Sequence, residues 1–230
     1  MGRRSRLAST ILTAGLVLVA CGSDDQSATE TTSESASGAT TAVVGDADCP
    51  PTEGADTQTR QFDGPPPDCL VDGVTYEAVV TTNKGEFTIE LDPGQAPAAA
   101  NNFVFLARNR YFDDTPCHRI IPDFVVQCGD PTGTGTGGPG YTIVDEPPAP
   151  GQYQLGSIAM ARTPQPDSAG SQFFIVIGPS GEALPPEYAL FGQVVDGFES
   201  TVTEMAAAGT PGQGVPSEPI QIESIRIVES

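Results

Sequence analysis

The chain has 230 residues, with 30 Asp and Glu set against ten Lys and Arg and a single His, a formal net charge of −20. Nucleic-acid binding draws its affinity from Lys and Arg neutralising phosphates, so a surface this acidic excludes it as a function class. One histidine and no CxxC leave almost no ligand supply for a zinc site, and no metal or other cofactor is expected.

Arg3, Arg4 and Arg6 precede an apolar run, Leu7 to Ala20, too short to span a bilayer comfortably; residues 1–20 read as a secretory signal peptide. The run closes on Leu18-Val19-Ala20-Cys21, which resembles the lipobox at which bacterial lipoproteins are cleaved and acylated. Lipidation is therefore expected at Cys21, placing the protein on the extracytoplasmic face of the cell membrane. An uncleaved anchor or a cut elsewhere would still carry the domain out of the cytoplasm. Loss of the first 20 residues leaves seven basic against 30 acidic side chains, a charge of −23.

Residues 21–46 are nearly all Ser, Thr, Ala, Gly, Asp and Glu, a composition that cannot bury enough apolar surface to offset the entropy of ordering, and read as a tether. Residues 47–73 turn Pro-rich and carry Cys49 and Cys69: a stapled collar, or simply more linker. With Cys117 and Cys128 these make four cysteines that an exported chain can pair in three ways. Pairing neighbours in sequence, Cys49 with Cys69 and Cys117 with Cys128, is the expected pattern; free buried thiols at 117 and 128 are the alternative.

Residues 74–230 suit one domain with a single core. Alternating apolar residues over 76–82 and 86–91 flank Asn83-Lys84-Gly85 and predict a hairpin. Pro97 then opens a stretch with Ala99, Phe103, Leu106 and Ala107 at helical spacing. Short strands are expected at 117–122, 124–128, 156–161, 172–177, 189–195 and 220–228, with a second helix over 199–208 ended by Gly209 and Pro211. This pattern predicts a mainly β fold, a closed antiparallel barrel with two α-helices covering its ends.

A Ser-His-Asp triad would have to use His118, which lies in a strand-like run, and no nearby serine sits in a nucleophile elbow. Gly133, Gly135, Gly137 and Gly138 suggest a phosphate loop, yet no Lys-Ser/Thr follows and Pro139 interrupts the start of any helix, so a tightly turning or flexible surface loop is expected. Acidic residues are scattered, and no carboxylate pair stands out.

One arginine among aromatics and amides does stand out. His118-Arg119-Ile120-Ile121-Pro122-Asp123-Phe124, then Gln127-Cys128-Gly129-Asp130-Pro131, Gly135-Thr136-Gly137-Gly138, Gly170-Ser171-Gln172-Phe173-Phe174-Ile175 and Phe191-Gly192 resemble, in order and nearly in spacing, the signature of cyclophilins, and the resemblance runs from about Tyr76 to Val228. It implies an eight-stranded barrel and peptidyl-prolyl cis-trans isomerase activity on proline-containing polypeptides, with Arg119 as the catalytic donor. It implies a proline pocket of Phe124, Val125, Phe174 and Leu184, with Gln127 and Gln172 holding Arg119 and the peptide backbone. His118, Ala161, Arg162, Thr163 and Tyr188 match positions lining the same groove. The chain departs from the family pattern at several of these: Val125 stands where Met is common, Arg162 where Asn is, Tyr188 where His is, Cys117 for Phe and Cys128 for Gly, and no Trp occurs near Ala183. The last bears on cyclosporin binding rather than on proline binding.

The chemistry agrees with the resemblance. An X-Pro bond turns over a barrier of roughly 18–20 kcal/mol because its transition state breaks amide conjugation. Lowering that barrier needs a dry pocket for the ring and a donor that favours the twisted amide. The expected protein is a monomer that helps exported proteins fold. A peptide-binding holdase using the groove without turnover, and a scaffold acting through its tether, are the alternatives.

Overall fold

The computed structural model describes residues 48–230; Cys21, the signal peptide and the tether lie outside the described residues. The hairpin is built as its alternation predicts: β1 (Tyr76–Thr82) pairs antiparallel with β2 (Gly85–Leu91) from Glu77 opposite Glu90 to Thr82 opposite Gly85, so Asn83 and Lys84 form the turn. Every second residue of β1 is buried, with Ala78 and Val80 fully inside. Helix α1 (Pro97–Arg108) begins on the proline, whose missing N–H costs nothing at the first helical position.

There follow β3 (Thr115–Pro116), β4 (Arg119–Ile121), β5 (Val125–Cys128), β6 (Ser157–Met160), β7 (Phe173–Val176), a single helical turn α2 (Pro179–Glu182), and β8 (Leu190–Asp196). The expected second helix is a π-helical segment, Phe198–Val202, running into α3 (Thr203–Ala207), before the last strand β9 (Gln221–Glu229).

Among the described residues all nine strands belong to one antiparallel sheet in the order β3-β9-β1-β2-β8-β6-β7-β5-β4. This corrects the expected closed eight-stranded barrel: the sheet has nine strands and its ladder is open, a half-barrel. The physical reason lies in one stretch of chain. Thr115 to Cys117 stays with β9, the Cys117 amide donating to the Ile220 carbonyl, and two residues later the chain has left to pair with β5. The edges β3 and β4 are thus the two ends of a single short segment and form no ladder with each other. The outer edge of β4 is covered instead by a loop: the Ile120 amide donates to the Gly214 carbonyl at 2.7 Å, and the Thr210 amide to the Ile120 carbonyl at 3.1 Å.

The main core lies between the sheet and α1. Phe103 of α1 stands 5.1–5.4 Å, ring centre to ring centre, from Phe112, Phe173 of β7 and Phe191 of β8, distances at which aromatic rings attract beyond their area burial. Segment 48–73 lies along α1. The Ala55 amide donates to the Arg108 carbonyl, the Thr59 amide to the Asn109 carbonyl, and the Cys69 amide to Asn101 Oδ1. Disulfides join Cys49 to Cys69 and Cys117 to Cys128.

Candidate functional site

Strand alternation sends two rows of side chains to opposite faces of the sheet. Ile120, Val126, Ile175 and Ile158 are cross-strand neighbours on β4, β5, β7 and β6, all buried in the main core. One residue back on β4, and in step on the others, Arg119, Gln127, Phe174 and Ala159 form the second row on the other face. That face carries its own smaller apolar cluster: Val125, Tyr153, Ala159, Phe174 and Val176 buried, with Phe124, Ala161, Leu184, Tyr188 and Leu190 packed against it.

The turn between β4 and β5 sets the rim. Asp123 takes a φ of 63°, and its carboxylate accepts from the Ser180 hydroxyl at 3.0 Å, so α2 holds the turn that presents Phe124. The result is a cavity of about 160 Å³ lined by Arg119, Phe124, Val125, Gln127, Ala161, Arg162, Phe174, Leu184 and Tyr188. A space of this size admits a five- or six-membered ring.

The arginine is held rather than neutralised. Arg119 Nη1 donates to Gln127 Oε1 at 3.1 Å, Gln127 Nε2 to Gln172 Oε1 at 2.9 Å, and Gln172 Nε2 to the Gly137 carbonyl at 2.9 Å. Its guanidinium carbon lies 5.5 Å from the centre of the Phe124 ring, a cation–π distance. Among the described residues no carboxylate pairs with Arg119. Its charge therefore faces the cavity uncompensated, with N–H groups left to donate.

A second cavity, of about 330 Å³, shares Gln127, Ala161 and Arg162 with the first. Its walls include Gly135–Pro139, Tyr141, Thr163, Ser168 and Gln172. Arg162 stands between the two, paired with Asp145 at 3.1 Å and donating to the Gln165 carbonyl at 2.9 Å. The glycine-rich stretch is a tight turn organised by the buried Asp130, whose carboxylate accepts from the Thr132 amide and hydroxyl and from the Gly135 and Gly137 amides. Burial alone would raise the Asp130 pKa, but these donors together hold it below the ordinary aspartate value.

The structure thus brings together Arg119, Phe124, Val125, Gln127, Ala161, Arg162, Thr163, Gln172, Phe174, Leu184 and Tyr188. His118 is the exception and lines neither cavity. Its ring lies 3.8 Å from where a Cβ on Gly135, a residue of the larger cavity's wall, would fall. Both ring nitrogens are buried without a partner among the described residues. Burial, partly opposed by the Asp130 charge and reinforced by that of Arg119, holds its pKa below the usual histidine value.

Sequence reasoning missed Tyr153, Asp145 and Tyr141. The Tyr153 hydroxyl donates to the Tyr188 carbonyl at 2.7 Å and accepts from the Tyr188 amide at 3.0 Å, fixing the residue whose ring meets Phe174 edge-on at 5.4 Å. Burial raises the Tyr153 pKa to about 12, so it stays a neutral donor. No periodicity marks these loop residues. The Asp130-Pro131-Thr132 turn, by contrast, carries a local signal, an Asp able to cap its own loop, that sequence reasoning left unused.

Comparison with known proteins agrees with this geometry. Residues 78–227 match the family described as cyclophilin type peptidyl-prolyl cis-trans isomerase/CLD. A peptidyl-prolyl cis-trans isomerase-like 1 of Gibberella zeae is 38% identical over 160 residues, covering 68% of this chain and 97% of the relative. A probable peptidyl-prolyl cis-trans isomerase B of Mycobacterium leprae is 35% identical over 174 residues; the match covers 68% of this chain but only 58% of that relative's length. The crystal structure of a Cryptosporidium parvum cyclophilin type isomerase superposes with a TM-score of 0.62 at 33% identity, covering 68% of this chain and 99% of its own, and another was obtained in the presence of the dipeptide Ala-Pro. From the row of residues on its outer sheet face to its sequence relatives, the chain belongs to the cyclophilin-type peptidyl-prolyl cis-trans isomerase family.

Proposed function

We propose that this protein is a peptidyl-prolyl cis-trans isomerase acting on exported polypeptides at the extracytoplasmic face of the cell membrane, held there by a lipid on Cys21. The observation that carries the catalytic reading is the uncompensated Arg119 guanidinium, fixed by Gln127 at the rim of a ring-sized cavity walled in part by Phe124, Val125, Phe174 and Leu184.

The proline ring enters between Phe124, Val125, Phe174 and Leu184, where burial of its methylenes supplies binding. As the X-Pro bond twists, the prolyl nitrogen gains a lone pair that the planar amide lacks. An Arg119 N–H then donates to it. That interaction exists only in the twisted state, so it lowers the barrier instead of merely tightening binding. No proton is transferred and no covalent intermediate forms. The residues flanking proline extend along the groove, with one side chain in the cavity beyond Arg162.

The test is the cis-to-trans rate of a short X-Pro peptide with the full chain in mild detergent, wild type against Arg119→Ala. Acceleration by the wild type and its loss in the folded variant support the reading. A folded wild type that binds the peptide without accelerating it makes the protein a holdase. Intact mass of wild type and Cys21→Ser tests the anchor: an acyl mass on a chain beginning at Cys21, absent from the variant, is expected, and an unacylated wild type refutes it.

A further inference from the structure

The wall of the larger cavity is held from two sides. On the inside, Gln172 Nε2 donates to the Gly137 carbonyl at 2.9 Å. On the outside, the very next carbonyl, that of Gly138, accepts from Gln61 Nε2 at 3.1 Å. One residue further, the Pro139 carbonyl accepts from the Phe62 amide at 2.8 Å. The ring of Phe62 packs 5.0 Å from Phe105 of α1 and meets Tyr141, itself a wall residue, edge-on at 6.2 Å. Tyr141 is tied in turn to α1, its hydroxyl donating to Asn102 Oδ1 at 2.7 Å, while Asn102 Nδ2 donates to the carbonyl of Gly170, another wall residue.

The backbone of Gly140 shows how close this approach is. A Cβ there would sit 2.5 Å from the Phe62 carbonyl oxygen, at a φ of 101° that side-chain-bearing residues rarely adopt. Gly140 is therefore shaped to receive segment 48–73. That segment closes on itself through Cys49–Cys69 and is anchored by Gln58 and Arg60 to the Asp113 carbonyl.

We infer that Gln61 and Phe62 are positioning residues for the substrate groove: segment 48–73 sets the Gly137–Tyr141 wall and so determines affinity for residues flanking the proline. The inference rests on the groove reading above. It assigns to the Pro-rich segment a part in substrate selection, distinct from the proline pocket and from Arg119, neither of which it touches. A loop with so many glycines has high entropy when free, and a wall that must order on binding would charge that entropy to the substrate.

The experiment compares wild type, Gln61→Ala and Phe62→Ala on two peptides: a capped X-Pro dipeptide and the same unit extended by three residues on each side. Amide hydrogen exchange at residues 137–141 is read in parallel. The expected result is faster exchange in that wall, a rise of roughly three- to tenfold in KM for the extended peptide, and an unchanged kcat/KM for the capped dipeptide. Gln61→Ala, which removes one exposed side-chain bond, guards against misfolding as the explanation. An unchanged ratio between the two peptides in both variants overturns the inference, whether or not exchange rises. A wild type inactive on both peptides is a different result, since it overturns the isomerase reading before any substitution is made.

Discussion

Gln127 faces Arg119 directly across the β4/β5 ladder, and its amide oxygen accepts from the Arg119 Nη1 at 3.1 Å. The pairing is fixed by register, so the orientation of the guanidinium is inherited from backbone hydrogen bonds. A glutamine is suited to this place because a carboxylate there would neutralise the charge that the proposed mechanism turns towards the substrate.

Arg119→Ala is accordingly expected to lower kcat by about 10² to 10³ with little change in fold, in the range seen when one preorganised donor is removed. Arg119→Lys should recover only part of the rate, because an ammonium lacks the planar fork that can hold Gln127 and still donate to the peptide as proposed. Gln127→Ala should reduce kcat more than it raises KM. Peptide isomerisation kinetics with circular dichroism as the folding control decide this, and an alanine variant as fast as wild type removes Arg119 from the mechanism.

The two disulfides differ in access. Cys117 and Cys128 are each 1% exposed, whereas Cys49 lies at the surface. Thiol trapping under mild reductant should label Cys49 and Cys69 well before Cys117 and Cys128, whose reduction must await opening of the domain. Replacing Cys117 and Cys128 by Ala should cost about 3 kcal/mol for a closed loop of this length. For a domain of this size that lowers the melting temperature by about 6–12 °C. Equal labelling of both pairs, or an unshifted midpoint, contradicts the assignment.

His118 gives a pH signature. Its folded pKa lies below the unfolded value of about 6.5, so the unfolded chain takes up the proton first as pH falls. The contribution to stability is complete above that value and is lost progressively below it. Because the chain has one histidine, urea midpoints at pH 7.5 and 5.5 should differ in wild type and converge in His118→Gln. Should the variant keep the full difference, the slope belongs to other groups.

Asp130 acts lower on the scale. Its depressed pKa means that stabilisation of the 132–137 turn is present above the ordinary aspartate value and disappears as pH falls through the folded one. Asp130→Ala should abolish that acid sensitivity and raise exchange at the Gly135 and Gly137 amides, as two-dimensional NMR at pH 7 would report; protected amides in the variant would show that other contacts hold the turn.

How legible all this was depends on the kind of pattern. The β1/β2 hairpin and α1 were open to reading because each carries its own periodicity, two for one and 3.6 for the other. Which residues, apart from His118, line the two cavities could be anticipated through resemblance, and alternation puts Gln127 and Val125 on one face. Three things had no local signal. Two-residue β3 exists because of a partner more than a hundred residues away, at Gln221 and Ile222. The open ladder follows from where one chain segment parts from β9, which no hydrophobic period records. Segment 48–73 binds largely through backbone groups and scattered amides, so its Pro-rich composition looked the same whether docked or not.

The loop that covers the outer edge of β4 has a consequence for the proposed function, in which the partners are unfolded chains. An exposed edge strand offers free N–H and C=O groups to any extended polypeptide and seeds sheet-to-sheet association. With Ile120 already bonded on both its amide and its carbonyl to residues 210 and 214, an arriving client finds no template for strand addition beside Arg119. On the proposed function, binding beside Arg119 is thereby left to the groove face, and the handling of sticky substrates is separated from strand addition at the β4 edge.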